Sequence, residues 1–315
     1  MNYENINEDI HDVMIIGGGP AGLSAALLLG RCLRNVLLFD SGEARTWAGV
    51  STRAFIGYDG TNPIKCLETG RKQLARFENV THLRTTIVDI EREGFVFSVH
   101  EAGGEIHRGK AILLASDYDP ELPPIFGADR FYGTSLHQCP YWDAWEHQGK
   151  KIGVLGADHV AVNLTRKLLL WSSEITLFTN GESIADGAVA RQLDQDGVCV
   201  NSAPIMALEG EGDRLKWLRM EDGATCDCDA LFFSSTHKFD PWLGTRLGCY
   251  LKRLGESTDW RSVRSTGVEG LFVAGNPLNP TEFAVVAAAD GVKAAEAVNN
   301  WLFEAAHSYL AFQPV

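Results

Sequence analysis

The stretch that decides the fold runs from Asp12 to Gly22 and reads Asp-Val-Met-Ile-Ile-Gly-Gly-Gly-Pro-Ala-Gly. Its apolar first half predicts a buried strand, and its second half has the pattern G-x-G-x-x-G just before a predicted helix, Leu23–Gly30. Glycines in this context let the backbone approach a pyrophosphate, and the helix N-terminus offers N–H donors and a positive dipole end. The stretch therefore predicts a dinucleotide-binding fold.

A second apolar strand, Asn35–Phe39, follows this helix and ends at Asp40. In dinucleotide-binding folds an acid at this place accepts hydrogen bonds from the ribose hydroxyl pair. Strand, glycine turn, helix, strand and acid thus occur in the required order, which makes the pattern much more specific than three glycines alone.

The organisation of the first part of the chain is repeated in the second part. The first part continues with a helix, Pro63–Phe77, the short runs Thr86–Glu91, Phe95–His100 and Glu105–Arg108, and the strand Ala111–Ala115. The second part has the strand Lys151–Leu155, the turn Gly156–Ala161, the helix Val162–Trp171, the strand Glu174–Thr179, the runs Pro204–Glu209, Leu215–Glu221 and Ala224–Cys228, and the strand Ala230–Ser234. Such doubling indicates two nucleotide-binding folds in one chain.

The chain then returns to the first domain. Gly270–Gly275 reads as an apolar strand, and Thr281–Phe303 reads as a long Ala-rich helix whose N-terminus would present free N–H groups. We predict an α/β protein with two Rossmann-like domains, each carrying a small antiparallel β-meander. Residues 1–117 and 246–315 form one discontinuous domain, and residues 118–245 form a second domain inserted into it.

Composition narrows the classes of function. The net charge of −13 argues against nucleic acid and anionic membranes as partners, because phosphate binding depends on clustered Lys and Arg. No apolar run approaches the ~20 residues that span a bilayer. The N-terminus is acidic and polar and lacks a signal-peptide pattern, so we expect a cytoplasmic protein.

These motifs resemble the low-molecular-weight thioredoxin reductase family of FAD flavoproteins, and more closely its branch of gliotoxin-oxidase-type dithiol oxidases. The resemblance adds the segments Phe39–Arg45, Leu122–Ile125, Cys139–Tyr141 and Leu177–Gly181 to the glycine turn. It implies that residues 1–117 and 246–315 form the FAD-binding domain, that residues 118–245 form a domain of pyridine-nucleotide type, which is vestigial in this chain, and that the protein is a homodimer. It also implies that FAD is bound by Gly17, Gly19, Pro20, Ala21, Gly22, Asp40, Ser41, Arg45, Ala115, Gly275, Asn276, Glu282, Phe283 and Ala284.

The sequence departs from this family at its redox motif. The family carries C-x-x-C-D, whose second cysteine lies against the flavin, whereas this chain has Cys139-Pro140-Tyr141-Trp142-Asp143, here called the redox corner. An indole forms no disulfide, so direct dithiol–flavin exchange is excluded. Trp142 is either a stacking floor for an aromatic substrate or a plug, and Cys139 is either a relic thiol or a nucleophile. We take Cys139, Trp142, Asp143 and His147 as the candidate catalytic residues, with His137 and His147 as a possible proton relay.

A second departure concerns the inserted domain. Its turn has Asp158 in place of the second glycine, and a carboxylate there obstructs and repels a pyrophosphate. Its second strand ends in Thr179-Asn180-Gly181, with neither an acid for a ribose nor the basic run that grips NADPH. FAD is therefore the expected cofactor, and NAD(P)H is a doubtful one.

Two hypotheses of function follow. Either FAD oxidises a small organic substrate and returns the electrons to oxygen, or catalysis has lapsed and the protein is a flavin- or nucleotide-binding module. Electron supply by ferredoxin is a further alternative, which the net charge of −13 disfavours because ferredoxins are acidic. The cations Lys65, Arg71, Lys72 and Arg76 on one predicted helix read as an ordinary solvated face.

Overall fold

The computed structural model describes residues 10–42, 51–116, 121–184, 187–233, 266–275 and 283–311. They divide into two compact units, one formed by residues 10–42, 51–116, 266–275 and 283–311 and the other by residues 121–184 and 187–233. Each unit contains a parallel sheet with helices, which confirms the predicted α/β class with Rossmann-like elements. The predicted limits at 117/118 and 245/246 lie outside the described residues and stay predictions.

The secondary-structure elements are numbered here in chain order. The strands are β1 Ile10–Ile16, β2 Val36–Phe39, β3 Val80–Leu83, β4 Ile87–Glu93, β5 Val96–Glu101, β6 Ile106–Leu114, β7 Leu136–His137, β8 Ile152–Leu155, β9 Ile175–Phe178, β10 Cys199–Asn201, β11 Ile205–Glu211, β12 Arg214–Met220, β13 Thr225–Asp227, β14 Ala230–Phe233 and β15 Leu271–Val273. The helices are α1 Pro20–Arg31, α2 Pro63–Leu74, α3 Ala128–Phe131, α4 Pro140–Asp143, α5 His159–Leu168, α6 Gly187–Gln195 and α7 Ala284–Ala311, with a 3₁₀ turn at Ala144–His147.

The first unit is built on one seven-stranded sheet in the order β3-β2-β1-β6-β5-β4, with β15 beside β6. Strands β1, β2 and β6 run parallel, and Ile16 is paired with Phe39 on one side and with Leu114 on the other. Because the carboxyl ends of these strands coincide, the residues that follow them meet at one edge of the sheet. This register brings together the segments that the sequence assigns to the cofactor.

One prediction about this unit is wrong in detail, and one of its strands was not predicted. The runs Glu105–Arg108 and Ala111–Ala115 belong to one continuous strand, β6, which pairs with β5 near its start and with β1 along most of its length. The meander is therefore an extension of the main sheet. Strand β3 was not predicted, because its sequence Val-Thr-His-Leu is short and only partly buried, so it has weak apolar periodicity.

The second unit has the predicted repeat. Its parallel sheet has the order β10-β9-β8-β14-β7, and its meander is a separate antiparallel sheet, β11-β12-β13. Helix α5 follows β8, as α1 follows β1 in the first unit. The same strand–turn–helix–strand unit thus occurs twice, with different residues at the turn.

Helices α1 and α7 cover the first sheet together and approach each other very closely. Gly291 of α7 lies against the backbone of α1, since a Cβ atom there would be 2.0 Å from the carbonyl oxygen of Ala21. The contact fixes α1, which carries the glycine turn at its N-terminus. Among the described residues, no helix combines the length and the apolar character needed to cross a membrane.

We predict that Gly291→Ala lowers the free energy of unfolding by about 1–3 kcal/mol, because the added methyl group would overlap backbone that cannot give way. Gly70→Ala in α2 is the matched control, since a Cβ there would meet only the flexible end of Leu23, at 3.1 Å. Urea unfolding of both variants measures the difference. Equal stability of the two variants would contradict the close approach of α1 and α7.

Candidate functional site

The first glycine turn needs its glycines for steric reasons. Gly17 has a φ of +119° and donates its N–H to the carbonyl oxygen of Phe39 at 2.9 Å. A Cβ at Gly17 would be 2.4 Å from the carbonyl oxygen of Ala115, and a Cβ at Gly22 would be 1.8 Å from that of Gly17. Any side chain at these two positions would therefore displace the turn from the strand ends.

The N-terminus of α1 beyond this turn is open. Its N-cap residue, Gly19, makes no side-chain cap, and a Cβ there would meet nothing within 4 Å. Pro20 lies in the first helical turn, where its missing N–H costs nothing. The helix therefore offers its first amides and its positive dipole end to an anion.

The structure also describes other residues that are predicted to bind the cofactor. Gly275, with a φ of +88°, follows β15, and a Cβ there would be 3.2 Å from the Cβ of Ala21. Phe283 precedes α7 and accepts hydrogen bonds from the amides of Val286 and Ala287. Ser41 is exposed directly after β2, and Ala284 begins α7 half-buried. Arg45, Asn276 and Glu282 lie outside the described residues, and the roles of all these residues toward a cofactor stay predictions.

The residues at the open turn can be compared with the chemical groups of FAD. An uncapped helix start, glycine backbone without overhanging side chains and a half-buried apolar helix start at α7 match the pyrophosphate and the ring system of a flavin dinucleotide. The residues present fit the group.

The carboxylate of Asp40 has several hydrogen-bond partners within the protein that the sequence did not indicate. Its Oδ1 accepts the amide of Gly42 at 2.8 Å, and its Oδ2 lies 2.9 Å from Nε and 2.8 Å from Nη2 of Arg71 and 3.2 Å from Nε2 of His82. Burial alone would raise the pKa of Asp40, but the His82 and Gly42 hydrogen bonds and the Arg71 charge hold it well below its usual range. The expectation of a solvated face is therefore wrong for Arg71, whose side chain is 17% exposed.

The turn of the second unit is closed by its own side chain. Asp158 is the N-cap of α5, and its Oδ1 accepts the amide of Ala161 at 2.8 Å. The carboxylate thus takes a donor that a phosphate would use and places a negative charge there.

The end of β9 carries no carboxylate, and its polar side chains bond to the protein backbone. The hydroxyl of Thr179 donates to the carbonyl oxygen of Glu182, and Thr179 is buried. Asn180, with a φ of +49°, accepts the amide of Ile205 on its side chain at 2.7 Å. Both residues hold the turn and the start of β11, so the polar groups at this edge have structural roles.

The redox corner forms a helix start within the second unit. Cys139 is the N-cap of α4, and the amide of Trp142 donates to its carbonyl oxygen at 3.2 Å. Trp142 is half-buried. The ring of Tyr141 packs edge-on against Trp171, with 6.2 Å between centroids, and Nζ of Lys167 lies 5.9 Å from the centre of the Tyr141 ring.

Two buried histidines adjoin the corner. His137 ends β7 and His147 ends the 3₁₀ turn, and they are 4% and 7% exposed. Their Nε2 atoms lie 3.1 Å apart, and Nδ1 of His137 lies 3.3 Å from Oδ2 of Asp143. The sequence placed these residues near the corner, and the structure joins them in one chain, Asp143–His137–His147, which we call the histidine relay.

The contacts of the relay favour one arrangement of its protons. With the proton of His137 on Nδ1, facing the Asp143 carboxylate, Nε2 of that ring accepts from Nε2–H of His147. Neutral His147 then has its lone pair at Nδ1, which is buried and has no hydrogen-bond partner among the described residues. Burial lowers the pKa of His147 to about 4, so this ring is neutral at pH 7.

Sequence reasoning missed two features of these sites. The partners of Asp40 come from α2 and β3, distant in sequence, and no local pattern distinguishes Arg71 from its exposed neighbour Lys72. The N-cap role of Asp158 was detectable, since an aspartate directly before an apolar periodic stretch is a common helix start.

The doubled nucleotide fold, with one open turn and one closed turn, defines a two-domain oxidoreductase class. The family model described as pyridine nucleotide-disulphide oxidoreductase matches residues 11–291, and the chain belongs to this family. The resemblance to thioredoxin reductases is confirmed.

Individual relatives agree with this assignment. The chain is 26% identical to thioredoxin reductase sirT of Leptosphaeria maculans, covering 92% of this chain and 94% of the relative. It is 29% identical to thioredoxin reductase tcpT of Claviceps purpurea, covering 85% and 87%. Among solved structures, HlmI superposes with a TM-score of 0.88 at 30% identity over 96% of this chain and 95% of that one. The putative thioredoxin reductase TrxB of Bacillus anthracis superposes with a TM-score of 0.87 at 27% identity, over 93% and 99%.

The depressed pKa of His147 predicts a stability that depends on pH. The unfolded chain takes up a proton near the ordinary pKa of 6.5 and the folded protein only near 4, so this group stabilises the folded state less as pH falls below about 6.5. We expect wild type to lose about 2 kcal/mol of unfolding free energy through this group between pH 8 and pH 5.

His147→Gln keeps a donor toward His137 and removes the titration. Urea unfolding at both pH values should therefore show a smaller loss in this variant than in wild type, and groups that titrate equally in both proteins cancel. Identical pH profiles of the two proteins would refute a neutral, buried His147.

Proposed function

We propose that this protein is an FAD-dependent oxidoreductase of the thioredoxin-reductase-like fold that oxidises a small organic substrate with oxygen as the electron acceptor. It does so without a C-x-x-C dithiol and without NADPH as the donor. Bound FAD supplies the two-electron exchange, and the two electrons and two protons taken from the substrate leave as hydrogen peroxide. A homodimer in the cytoplasm is part of the proposal.

The contrast between the two helix starts carries this proposal. At α1 the N-cap is Gly19, without a side-chain cap, whereas at α5 the carboxylate of Asp158 caps the helix. A nucleotide phosphate could bind at the uncapped start of α1. At α5 it would have to displace the negatively charged Asp158 carboxylate from its hydrogen bond. Such a displacement costs about 1–3 kcal/mol, and no basic clamp at the end of β9 offsets it.

The redox corner supports a substrate that is not a protein disulfide. Trp142 stands where the family carries the flavin-side cysteine, so the corner has an aromatic ring instead of a second thiolate. Cys139 remains one turn away, at the N-cap of α4. In this proposal Trp142 shapes the pocket, and Cys139 binds or positions the substrate.

The histidine relay supplies a place for the substrate's proton. Neutral His147 accepts a proton at Nδ1 and passes the one on Nε2 to Nε2 of His137, which in turn releases its Nδ1 proton to Asp143. Asp143 is half-buried, so the proton then reaches solvent. The low pKa of His147 keeps its Nδ1 ready as an acceptor throughout the neutral range.

The purified protein tests the proposal directly. We expect heat to release FAD, anaerobic NADPH to leave the flavin absorbance unbleached over minutes, and air to reoxidise the chemically reduced protein within seconds with stoichiometric hydrogen peroxide. Saturable bleaching by micromolar NADPH within a second would restore a conventional reductase. Reoxidation over hours would favour a flavin-binding module instead, and release of FMN or no flavin would refute the cofactor.

Trp142→Cys tests whether the redox corner lacks only its second thiol. The hydrogen bond from the backbone amide of residue 142 to the carbonyl oxygen of Cys139 places both residues at one helix start. This position suits a disulfide and lowers thiol pKa values. We expect an internal disulfide, detected by thiol titration and mass, and a long-wavelength absorbance band when the flavin-loaded variant is reduced anaerobically by a dithiol.

Trp145→Cys is the matched control, since Trp145 belongs to the same region but is 69% exposed and has the wrong spacing. It should form no such disulfide. If wild type itself exchanged electrons with dithiols, Cys139 alone would be sufficient and our interpretation of Trp142 would be wrong.

A further inference from the structure

Asp40 lies directly under the first glycine turn. A Cβ atom on Gly18 would be 2.1 Å from Cγ of Asp40, so the carboxylate touches the turn backbone. Its partners come from three places in the first unit: Gly42 in the loop after β2, Arg71 on α2 and His82 on β3. The turn, one helix and one strand therefore meet at this one side chain.

The hydrogen bonds leave little of the carboxylate unused. A carboxylate offers about four acceptor sites, two on each oxygen. Oδ2 faces two N–H groups of Arg71 and Nε2 of His82, so it is saturated, whereas the one described donor to Oδ1 is the amide of Gly42. Among the residues that the structure describes, one acceptor site therefore remains, on Oδ1.

Arg71 and His82 also determine which way that site points. The planar Arg71 fork binds Oδ2 through two nitrogens, at 2.9 Å and 2.8 Å, which fixes the plane of the carboxylate as well as its place. Asp40 is 5% exposed in its side chain, so it has no room to rotate freely once this fork is in place.

We propose that Arg71 and His82 are positioning residues of the cofactor site, which hold Asp40 so that its Oδ1 accepts a single hydroxyl of the adenosine ribose. This inference rests on the proposed binding of FAD. It replaces the ribose hydroxyl pair expected from the sequence with one hydroxyl, and it gives α2 a part in recognising the adenosine end.

The experiment compares the binding of FAD with two FAD analogues that lack the 2′- or the 3′-hydroxyl of the adenosine ribose. Apoprotein is titrated with each flavin, and flavin fluorescence gives the dissociation constants. Wild type should bind one of the two analogues about 10-fold more weakly than FAD, as the loss of one hydrogen bond to a charged group requires, and the other within about 2-fold.

Arg71→Met should abolish this discrimination, so that FAD and both analogues bind alike. Lys72→Met removes the same charge from the next position of α2, where the side chain is exposed, and should discriminate as wild type does. Arg71→Lys keeps the charge without the fork and should discriminate partially. Because each protein is compared with itself, a general loss of stability does not alter the ratio.

Several results would overturn the inference. Wild type that binds FAD but discriminates against neither analogue, or against both equally, would show that Asp40 does not accept a single hydroxyl. Retained discrimination in Arg71→Met would show that Arg71 has only a structural role. If Arg71→Met fails to fold, full discrimination in Arg71→Lys decides against the inference, and partial discrimination supports it. Wild type that binds no FAD would refute the proposed function together with this inference.

Discussion

An α-helix leaves its first amide groups without partners inside the helix, and the two units of this protein satisfy that constraint in opposite ways. At α1 the chain supplies glycine backbone and no side-chain cap, so the first amides of the helix are left open to an external anion. At α5 the chain supplies Asp158, so the helix start is complete by itself. The same strand–turn–helix unit therefore yields an open nucleotide cradle in one unit and a closed turn in the other. The arrangement of the strands is shared, and one side chain at the turn separates the two outcomes.

The two units also differ in the polar residues that follow their second parallel strands. In the first unit the carboxylate of Asp40 joins a helix, a strand and the glycine turn, and its charge is neutralised by Arg71. In the second unit the corresponding strand end carries the uncharged Thr179 and Asn180, which bond to the backbone of Glu182 and Ile205. A buried charge is costly unless it is paired, and Arg71 supplies that pairing for Asp40.

The histidine relay contains a buried pair of imidazoles beside the redox corner. His137 and His147 are packed against Phe232, and the apolar surroundings keep His147 neutral. Within the described residues, Nδ1 of His147 is a buried acceptor without a partner. A group of this kind costs free energy in a protein that does not use it. It fits a site that accepts protons while electrons are transferred elsewhere.

The sequence by itself determined the doubled α/β fold, the glycine turn and the family, because apolar periodicity and glycine spacing are local patterns. It also determined the loss of the flavin-side cysteine, which is a matter of identity at position 142. Only the tertiary structure decided the continuity of β6, the short strand β3, the pairing of Asp40 with Arg71 and the contact between His137 and His147. These features join residues from separate elements, and the energy that selects them comes from burial and strand register, which no single stretch of sequence contains.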